Sequence, residues 1–191
     1  MLISIEQRND MDSLRLKAMH ALRARVFKGR KQWDVSIIDD MEIDGYDALN
    51  PYYMTLNDRR RPDVPIGCWR LMPTTGPNML AHSFAQLLDG VPAPCAESVW
   101  ELSRFAIECP ERSTFSFSQG TALAIREVVA FGLARNVSHY VTVTTMGIER
   151  MLRRLGVDLS RLGGAQQIGV ERAVALRIEL NDTTRQAVAA R

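Results

Sequence analysis

Apolar positions change period along the chain, and each change marks an element. Leu2, Ile3 and Ile5 predict a short strand over residues 2–6. From Met11 to about Phe27 the period becomes helical, with Leu14, Ala18, Leu22 and Val26 four residues apart. Residues 28–50 have no clear period and carry six acids between Asp34 and Asp47. Trp33, Val35, Ile37, Ile38, Met41, Ile43 and Tyr46 in the same stretch argue for a long ordered loop, a kind that usually carries function. Tyr52–Asn57 and Ile66–Met72 read as paired strands joined by the polar link 58–63. A turn at Thr74–Pro77 precedes a short amphipathic helix around Phe84–Leu88, and Ser98–Ile107 is a strand. Ser116 and Gln119 form a capping-box pattern, and the helix behind it, reaching Asn136, carries Ala124, Ile125, Val128, Val129 and Gly132 on one side. Tyr140–Thr145 is a strand, Gly147–Leu155 a helix closed by Gly156, and Val170–Leu180 a last strand with Val174, Leu176, Ile178 and Leu180 alternating. Residues 181–191 read as a tail or a final helix.

This order predicts an α/β protein. It is a single domain over residues 1–191 with a mixed, mostly antiparallel sheet and helices on both faces. A dinucleotide-binding unit is excluded, because no G-x-G-x-x-G follows a strand. The formal charge is only +2, which discourages a dedicated nucleic-acid binder. No apolar run reaches the roughly 18 residues of a membrane span, and the first residues carry no basic-then-apolar signal. Cys68, Cys95 and Cys109 are odd in number and lack C-x-x-C spacing, while His20, His82 and His139 are scattered. A reduced, cytoplasmic protein without metal fits these patterns. The cations are 21 Arg and only 3 Lys, so the arginines are where recognition of carboxylates or phosphates is to be sought.

Several charges fall where the pattern expects apolar residues. Arg23 stacks between Met19 and Phe27 at helical spacing, Arg70 alternates with Ile66, Cys68 and Met72, and Glu101 lies inside a strand. Inward charge is costly unless paired, so these residues belong to an ion-pair network or to a ligand site. Strict alternation puts Glu101, Ser103 and Phe105 on one face and Arg104 on the other. Both charges reach one site only if the strand bulges. Trp33, beside Asp44 and Asp47, suits a cationic ligand or else plugs the edge of the core.

Arg23-x-x-Val26-Phe27, Trp33, Asp44-Gly45-Tyr46-Asp47, Gly67-Cys68-Trp69-Arg70-Leu71, Phe84 and Glu101-Leu102-Ser103-Arg104-Phe105 occur in that order over nearly the whole chain. The set resembles the acyl-homoserine-lactone synthase family, the LuxI-type autoinducer synthases. Residues 41–49, 141–145 and 171–180 are most similar to its LasI branch. The turn from Arg59 to Val64 and the C-terminal tail diverge from the family.

The resemblance implies a fold similar to the N-acetyltransferase (GNAT) fold and a quorum-sensing function. It implies S-adenosylmethionine as co-substrate, no permanently bound cofactor, and an acyl group delivered by acyl carrier protein. The products are an N-acyl-homoserine lactone and methylthioadenosine. On this reading Glu101 is the candidate base, with Ser103 and Arg104 beside it. Arg23 and Arg104 bind the co-substrate carboxylate or orient the acids that do, Asp44 and Asp47 hold its amine or tie down the loop, Arg70 joins this charged set, and Phe27, Trp33, Phe84 and Phe105 wall it. Leu102, Val143, Thr144, Met146, Met151, Leu152 and Leu155 are candidates for the acyl slot, or plain core. Thr144 matches the position where a hydroxyl accompanies 3-oxo chains, which implies a medium to long 3-oxo substrate. Arg150, Arg153 and Arg154, opposite the apolar face of Ile148, Met151, Leu152 and Leu155, are either a solvated helix face or an outward basic patch suited to an acidic carrier protein, extended by Arg161. Two rivals were weighed. A true acetyltransferase needs a Q/R-x-x-G-x-G/A turn that residues 108–114 and 161–166 lack. A non-catalytic relative would show a broken charge set, and here the set is whole.

Overall fold

The computed structural model describes residues 1–108 and 114–189, without the side chains of 114–119. Cys109 and the capping-box side chains of Ser116 and Gln119 lie outside the described residues. The elements run β1 (Leu2–Gln7), α1 (Ser13–Ala24), a π-helical segment (Arg25–Arg30), β2 (Ile37–Ile38), β3 (Met41–Glu42), a 3-10 turn (Gly45–Leu49), β4 (Tyr52–Asp58) and β5 (Arg61–Pro73). They continue with α2 (Met79–His82), a 3-10 turn (Ala85–Leu88), β6 (Val99–Ile107), α3 (Thr114–Leu133), β7 (His139–Thr145), α4 (Met146–Leu155), β8 (Leu159–Arg161), β9 (Gln166–Ile168), β10 (Glu171–Glu179) and α5 (Asp182–Ala189). Among the described residues no helix is long and apolar enough to cross a membrane.

The chain forms two compact units, Met1–Leu71 with Arg104–Ala124, and Met72–Ser103 with Ile125–Arg191. In the first, strands run in the order β1-β4-β5-β6. β4 pairs antiparallel with both β1 and β5. β5 starts at Arg61 rather than Ile66, because ladder bonds use backbone groups and extend into the polar link. Asp12 opens α1, its Oδ1 accepting from the N–H groups of Leu14 and Arg15 at 3.0 Å. The buried arc of α1 is Met19, His20, Leu22 and Arg23, and the expected Leu14 is 73% exposed. A four-residue spacing drifts by about 40° per step on a helix of 3.6 residues per turn, so Leu14 has left the face that Val26 occupies. Residues 28–50 are largely the irregular segment expected, with a β2–β3 hairpin turned by Asp39 and Asp40, whose φ values are 48° and 63°. The core of this unit gathers Met19, Leu22, Val26, Phe27, Tyr53, Cys68 and Ala106.

In the second unit the order is β6-β7-β10-β8. β6 and β7 are parallel, from Val99↔His139 to Leu102↔Thr142, and β7 and β10 are antiparallel. Residues Ala173–Leu176 of β10 are buried on both faces, not on one as alternation suggested, because α4 and the 3-10 turn Ala85–Leu88 both pack on this strand. α2, β8 and β9 are too short to leave a periodic signal and were not anticipated. Asn78 opens α2 by accepting from the Ala81 N–H at 3.0 Å. α3 ends at Leu133, short of the expected Asn136, which turns the chain at φ 57°. Gly163 packs so tightly on this unit that a Cβ there would lie 2.2 Å from the Leu87 carbonyl oxygen. Leu80, Leu87, Val99, Val141, Ala173 and Ala175 form the core.

Candidate active site

Six charged side chains of the first unit close on one another. Arg23, Arg70 and Arg104 face Glu42, Asp44 and Asp47, so the set is formally neutral. Arg23, Arg70 and Glu42 have no exposed surface. Arg23 sits in the last turn of α1. It grips Asp47 with both terminal nitrogens, at 2.8 and 3.0 Å, and pairs with Glu42 through its Nε and Nη2. Arg70 on β5 donates to Asp44 Oδ1 at 2.6 Å and to Asp47 Oδ1 at 2.7 Å. Tyr53 lies directly opposite Arg70 across the β4–β5 ladder, and its hydroxyl donates to the same Asp47 oxygen at 2.5 Å. Asp47 is therefore the hub of the set.

The two aspartates are placed by local chemistry. Asp44 caps the 3-10 turn, its Oδ1 accepting from the N–H groups of Tyr46 (3.0 Å) and Asp47 (3.2 Å). Asp47 Oδ2 accepts from the Asp44 N–H at 2.8 Å, which completes a reciprocal capping box in Asp-Gly-Tyr-Asp. Burial raises the Asp47 carboxyl pKa, but the guanidiniums of Arg23 and Arg70 outweigh it and hold the group far below the usual carboxylate range. Burial opposes the charge of Arg23, yet Asp47 and Glu42 push its pKa upward. Burial likewise raises the Tyr53 hydroxyl, with Asp47 adding to it.

Arg104 breaks the alternation of β6 and joins the ionic set, while Glu101 binds backbone N–H groups of the second unit. Arg104 has a φ of 59°, a left-handed backbone in the middle of β6. Its Nε donates to Glu42 Oε1 at 3.0 Å, and its Nη2 lies 2.8 Å from Asp44 Oδ2. The buried Cys68 thiol, its pKa pushed up to about 12 by burial, donates to the Arg104 carbonyl at 3.7 Å. Asp44 and Arg104 are the open edge of the set, with 15% and 12% of their side chains exposed. Asp44 Oδ2 meets Arg104 as an ion contact without hydrogen-bond angles and accepts from no other group among the described residues.

An aromatic column lies beside this edge. The π-helical segment ends with the Trp33 N–H donating to the Phe27 carbonyl at 2.9 Å, after a left-handed Gln32 at φ 55°. Phe27 and Trp33 consequently stack at 5.1 Å and 4°. The Arg104 guanidinium lies 5.7 Å from the Phe27 ring centre, and the Lys31 ammonium 4.8 Å from that of Trp33. Trp33 thus both packs on the core and forms part of a cation-attracting column. Phe105 packs on Trp69 at 4.6 Å.

The remaining candidates belong to the second unit. Glu101 is buried and accepts from the backbone N–H groups of Met79 at 3.2 Å and Leu80 at 2.7 Å. Leu102, Ser103 and Leu152 are buried, while Val143, Thr144, Met146, Met151 and Leu155 are half-buried. Phe84 and Val143 pack on the core of this unit. Arg150, Met151, Arg154 and Leu155 line one open cavity of about 550 Å³ with Gly147. The expectation that the arginines oppose Met151 and Leu155 is corrected here. At about 100° per residue, positions 150, 154, 151 and 155 are neighbours around the helix, and Leu152 with Ile148 marks the inner side. The basic patch is also divided. Arg153 and Arg161 both pair with the buried Glu149, at 3.0 and 2.7 Å, whereas Arg150 and Arg154 have no ion-pair partner among the described residues.

Three residues of the ionic set escaped the sequence reading. Glu42 was hidden in an unpatterned loop, although Glu42 and Asp44 share parity. Tyr53 looked like an ordinary strand aromatic. His20 is buried with Nδ1 2.9 Å from the Glu42 carbonyl oxygen, and burial followed by the nearby Arg23 lowers its pKa. Their one signal was the i, i+3 relation of His20 and Arg23 and the register that sets Tyr53 opposite Arg70. Among the described residues no group of three or more His, Cys, Asp or Glu could hold a metal ion.

Residues 7–188 match the autoinducer synthase family. An acyl-homoserine-lactone synthase of Pseudomonas aeruginosa is 50% identical over 188 residues, which is 98% of this chain and 94% of that protein. The crystal structure of the AHL synthase LasI superposes with a TM-score of 0.92 at 49% identity, covering 99% of this chain and 94% of that one. TofI, solved in a ternary complex with an inhibitor and MTA, superposes at 0.84 with 29% identity, covering 99% and 97%. A putative N-acetyltransferase from Lactobacillus plantarum, at 18% identity, shares the fold with a TM-score of 0.63 over 95% and 100% of the two chains.

Proposed function

The chain belongs to the autoinducer synthase family and is an acyl-homoserine-lactone synthase, an acyltransferase with a GNAT-like fold, and from that premise we propose how its own residues handle the two substrates. The observation that carries the reading is the neutral, buried ionic set with a single open edge at Asp44 and Arg104. S-Adenosylmethionine presents an ammonium to Asp44 and a carboxylate to Arg104, replacing one mutual ion contact with two. That S-adenosylmethionine is the co-substrate is supported by the relative TofI, solved with MTA, the thioether its cleavage leaves. Asp47, saturated by Arg23, Arg70 and Tyr53, ties down the loop instead of touching substrate. Phe27 and Trp33 attract the sulfonium with their ring faces, and Phe84 and Phe105 complete the wall.

The amine must lose a proton before its lone pair can attack the thioester carbonyl and expel the thiolate. Glu101 takes that proton, directly or through a water. Its two backbone bonds orient a carboxylate that has about four acceptor positions. Ser103 donates to the developing oxyanion. A carboxylate oxygen then attacks the γ-carbon. The C–S bond breaks with its electron pair going to sulfur, which closes the lactone and releases methylthioadenosine. Glu101→Gln is expected to lower the turnover of the folded enzyme by about 10²-fold, with some loss of melting temperature because its amide leaves one of the Met79 and Leu80 N–H groups facing an NH₂. Turnover within twofold of wild type overturns the base assignment.

The acyl donor is acyl carrier protein carrying a medium to long 3-oxo chain, with Thr144 hydrogen-bonding the 3-oxo group among Leu102, Val143, Met146, Met151, Leu152 and Leu155. Arg150 and Arg154, flanked by Met151 and Leu155 at the cavity mouth, dock the acidic carrier. An Arg150→Glu/Arg154→Glu variant is expected to raise KM for acyl carrier protein about tenfold and leave KM for S-adenosylmethionine unchanged. Equal loss for both substrates speaks against docking. The reading as a whole is tested with purified protein, S-adenosylmethionine, and either acyl carrier protein or coenzyme A thioesters. Mass spectrometry is expected to find 3-oxo-acyl-homoserine lactone and methylthioadenosine with the carrier protein. Formation from coenzyme A esters alone reassigns the donor, and no lactone with either donor overturns the function.

A further inference from the structure

Trp69 lies on β5 between Cys68 and Arg70 and is only 5% exposed. Its indole Nε1–H is buried and has no hydrogen-bond partner among the described residues. Alternation along the strand turns Trp69 away from Cys68, which packs in the core with Phe27, and from Arg70, which enters the ionic set. Its surroundings are apolar. The ring packs on Phe105 at 4.6 Å, and Met54 lies opposite it on β4. A buried donor without an acceptor is costly, and native proteins leave few of them. A phenylalanine would complete this wall without that cost. Trp69 is also one residue from Arg70, and Phe105 one residue from Arg104, the two arginines that hold Asp44. The two wall residues are thus chain neighbours of the arginines that hold Asp44, with Trp69 on the face of β5 opposite the one Arg70 uses.

We propose that the Trp69 Nε1–H donates a hydrogen bond to a carbonyl oxygen of the acyl donor, making Trp69 a substrate-binding residue in an otherwise apolar wall. This rests on the acyl-transfer reading above. Two oxygens carry that chemistry, the thioester carbonyl present in every donor and the C3 carbonyl of a 3-oxo chain. Both end in the product, as the amide carbonyl and the 3-oxo group.

The test replaces Trp69 by 3-benzothienylalanine, in which sulfur takes the place of the N–H in a ring of the same shape, with Trp69→Phe as a second variant. kcat/KM is measured with unsubstituted and 3-oxo donors of equal chain length. A fall of about tenfold or more with both donors identifies the thioester carbonyl. A fall confined to the 3-oxo donor identifies C3. Variants that fold and turn over both donors within twofold of wild type overturn the proposal, while lactone formation by wild type keeps the functional reading standing. No lactone from wild type overturns both. The indole ¹H–¹⁵N resonance missing from Trp69→Phe supplies a readout independent of turnover. It is expected to shift downfield when N-acyl-homoserine lactone is added. A resonance that does not move, or that already shows a hydrogen bond to water in the free protein, overturns the proposal.

Discussion

Replacing Asp47 by alanine is expected to lower the melting temperature by roughly 10 °C or more. The side chain is 2% exposed and accepts from Arg23, Arg70, Tyr53 and the Asp44 backbone. Its removal leaves two buried guanidiniums short of counter-charge and a buried hydroxyl without its acceptor. Breaking a buried pair in this way costs about 3–5 kcal/mol, and a chain of this size loses about 2–4 °C per kcal/mol. The same carboxylate gives the fold an acid limit. Its folded pKa lies below its unfolded value, so its stabilisation is fully present above the ordinary carboxylate pKa near 4 and drains away as pH falls below it. Thermal melts at neutral pH and in a series from about pH 5 to pH 3 check both statements. A variant melting within 2 °C of wild type would show that the remaining pairs carry the set alone.

Asp44→Asn is expected to leave the fold intact and to reduce lactone formation by about 10²- to 10³-fold, the rate equivalent of losing a buried ion pair. The two oxygens of Asp44 have separate duties. Oδ1 caps the 3-10 turn and accepts from Arg70, and an asparagine oxygen can do both. Oδ2 faces Arg104 on the open edge, and there the substitution puts an NH₂ group where an ammonium is to be held. Asp47→Ala should therefore be lost mainly through stability, and Asp44→Asn through turnover and KM for S-adenosylmethionine. Steady-state kinetics beside a melting curve separates them. An Asp44→Asn enzyme that keeps its KM for S-adenosylmethionine would remove Asp44 from the substrate.

How much of this was legible differs from residue to residue. Arg23, Arg70 and Glu101 stood out because a charge at an inward position breaks an apolar period, whereas alternation put Arg104 on the other face. Asp44 and Asp47 stood out through the family pattern, but their capping box was readable in Asp-Gly-Tyr-Asp and was overlooked. Glu42 and Tyr53 gave no such sign. One sits where no period exists to be broken, and the other is an amphipathic residue at home in any strand. On α4 the cations were visible, but the pairing of Arg153 and Arg161 to Glu149 was not, because Arg161 comes from β8. The short elements α2, β8 and β9 were missed because three or four residues cannot display a period.

The linear sequence determined the order of the longer elements, the mixed sheet, the family and the inward placing of Arg23, Arg70 and Glu101, since all of these are written in periodicity and residue type. Tertiary structure alone decided which charges meet. Strand register set Tyr53 opposite Arg70, and a left-handed Arg104 reversed the parity of β6. A π-helical turn stacked Phe27 on Trp33. Each is a long-range or backbone-conformational fact, and residue type constrains such facts only weakly. The same holds for the buried Trp69 donor, which has no acceptor among the described residues. Trp69 reads in the sequence as an ordinary strand aromatic, and only the packing around its indole shows that the folded protein has given that N–H no partner.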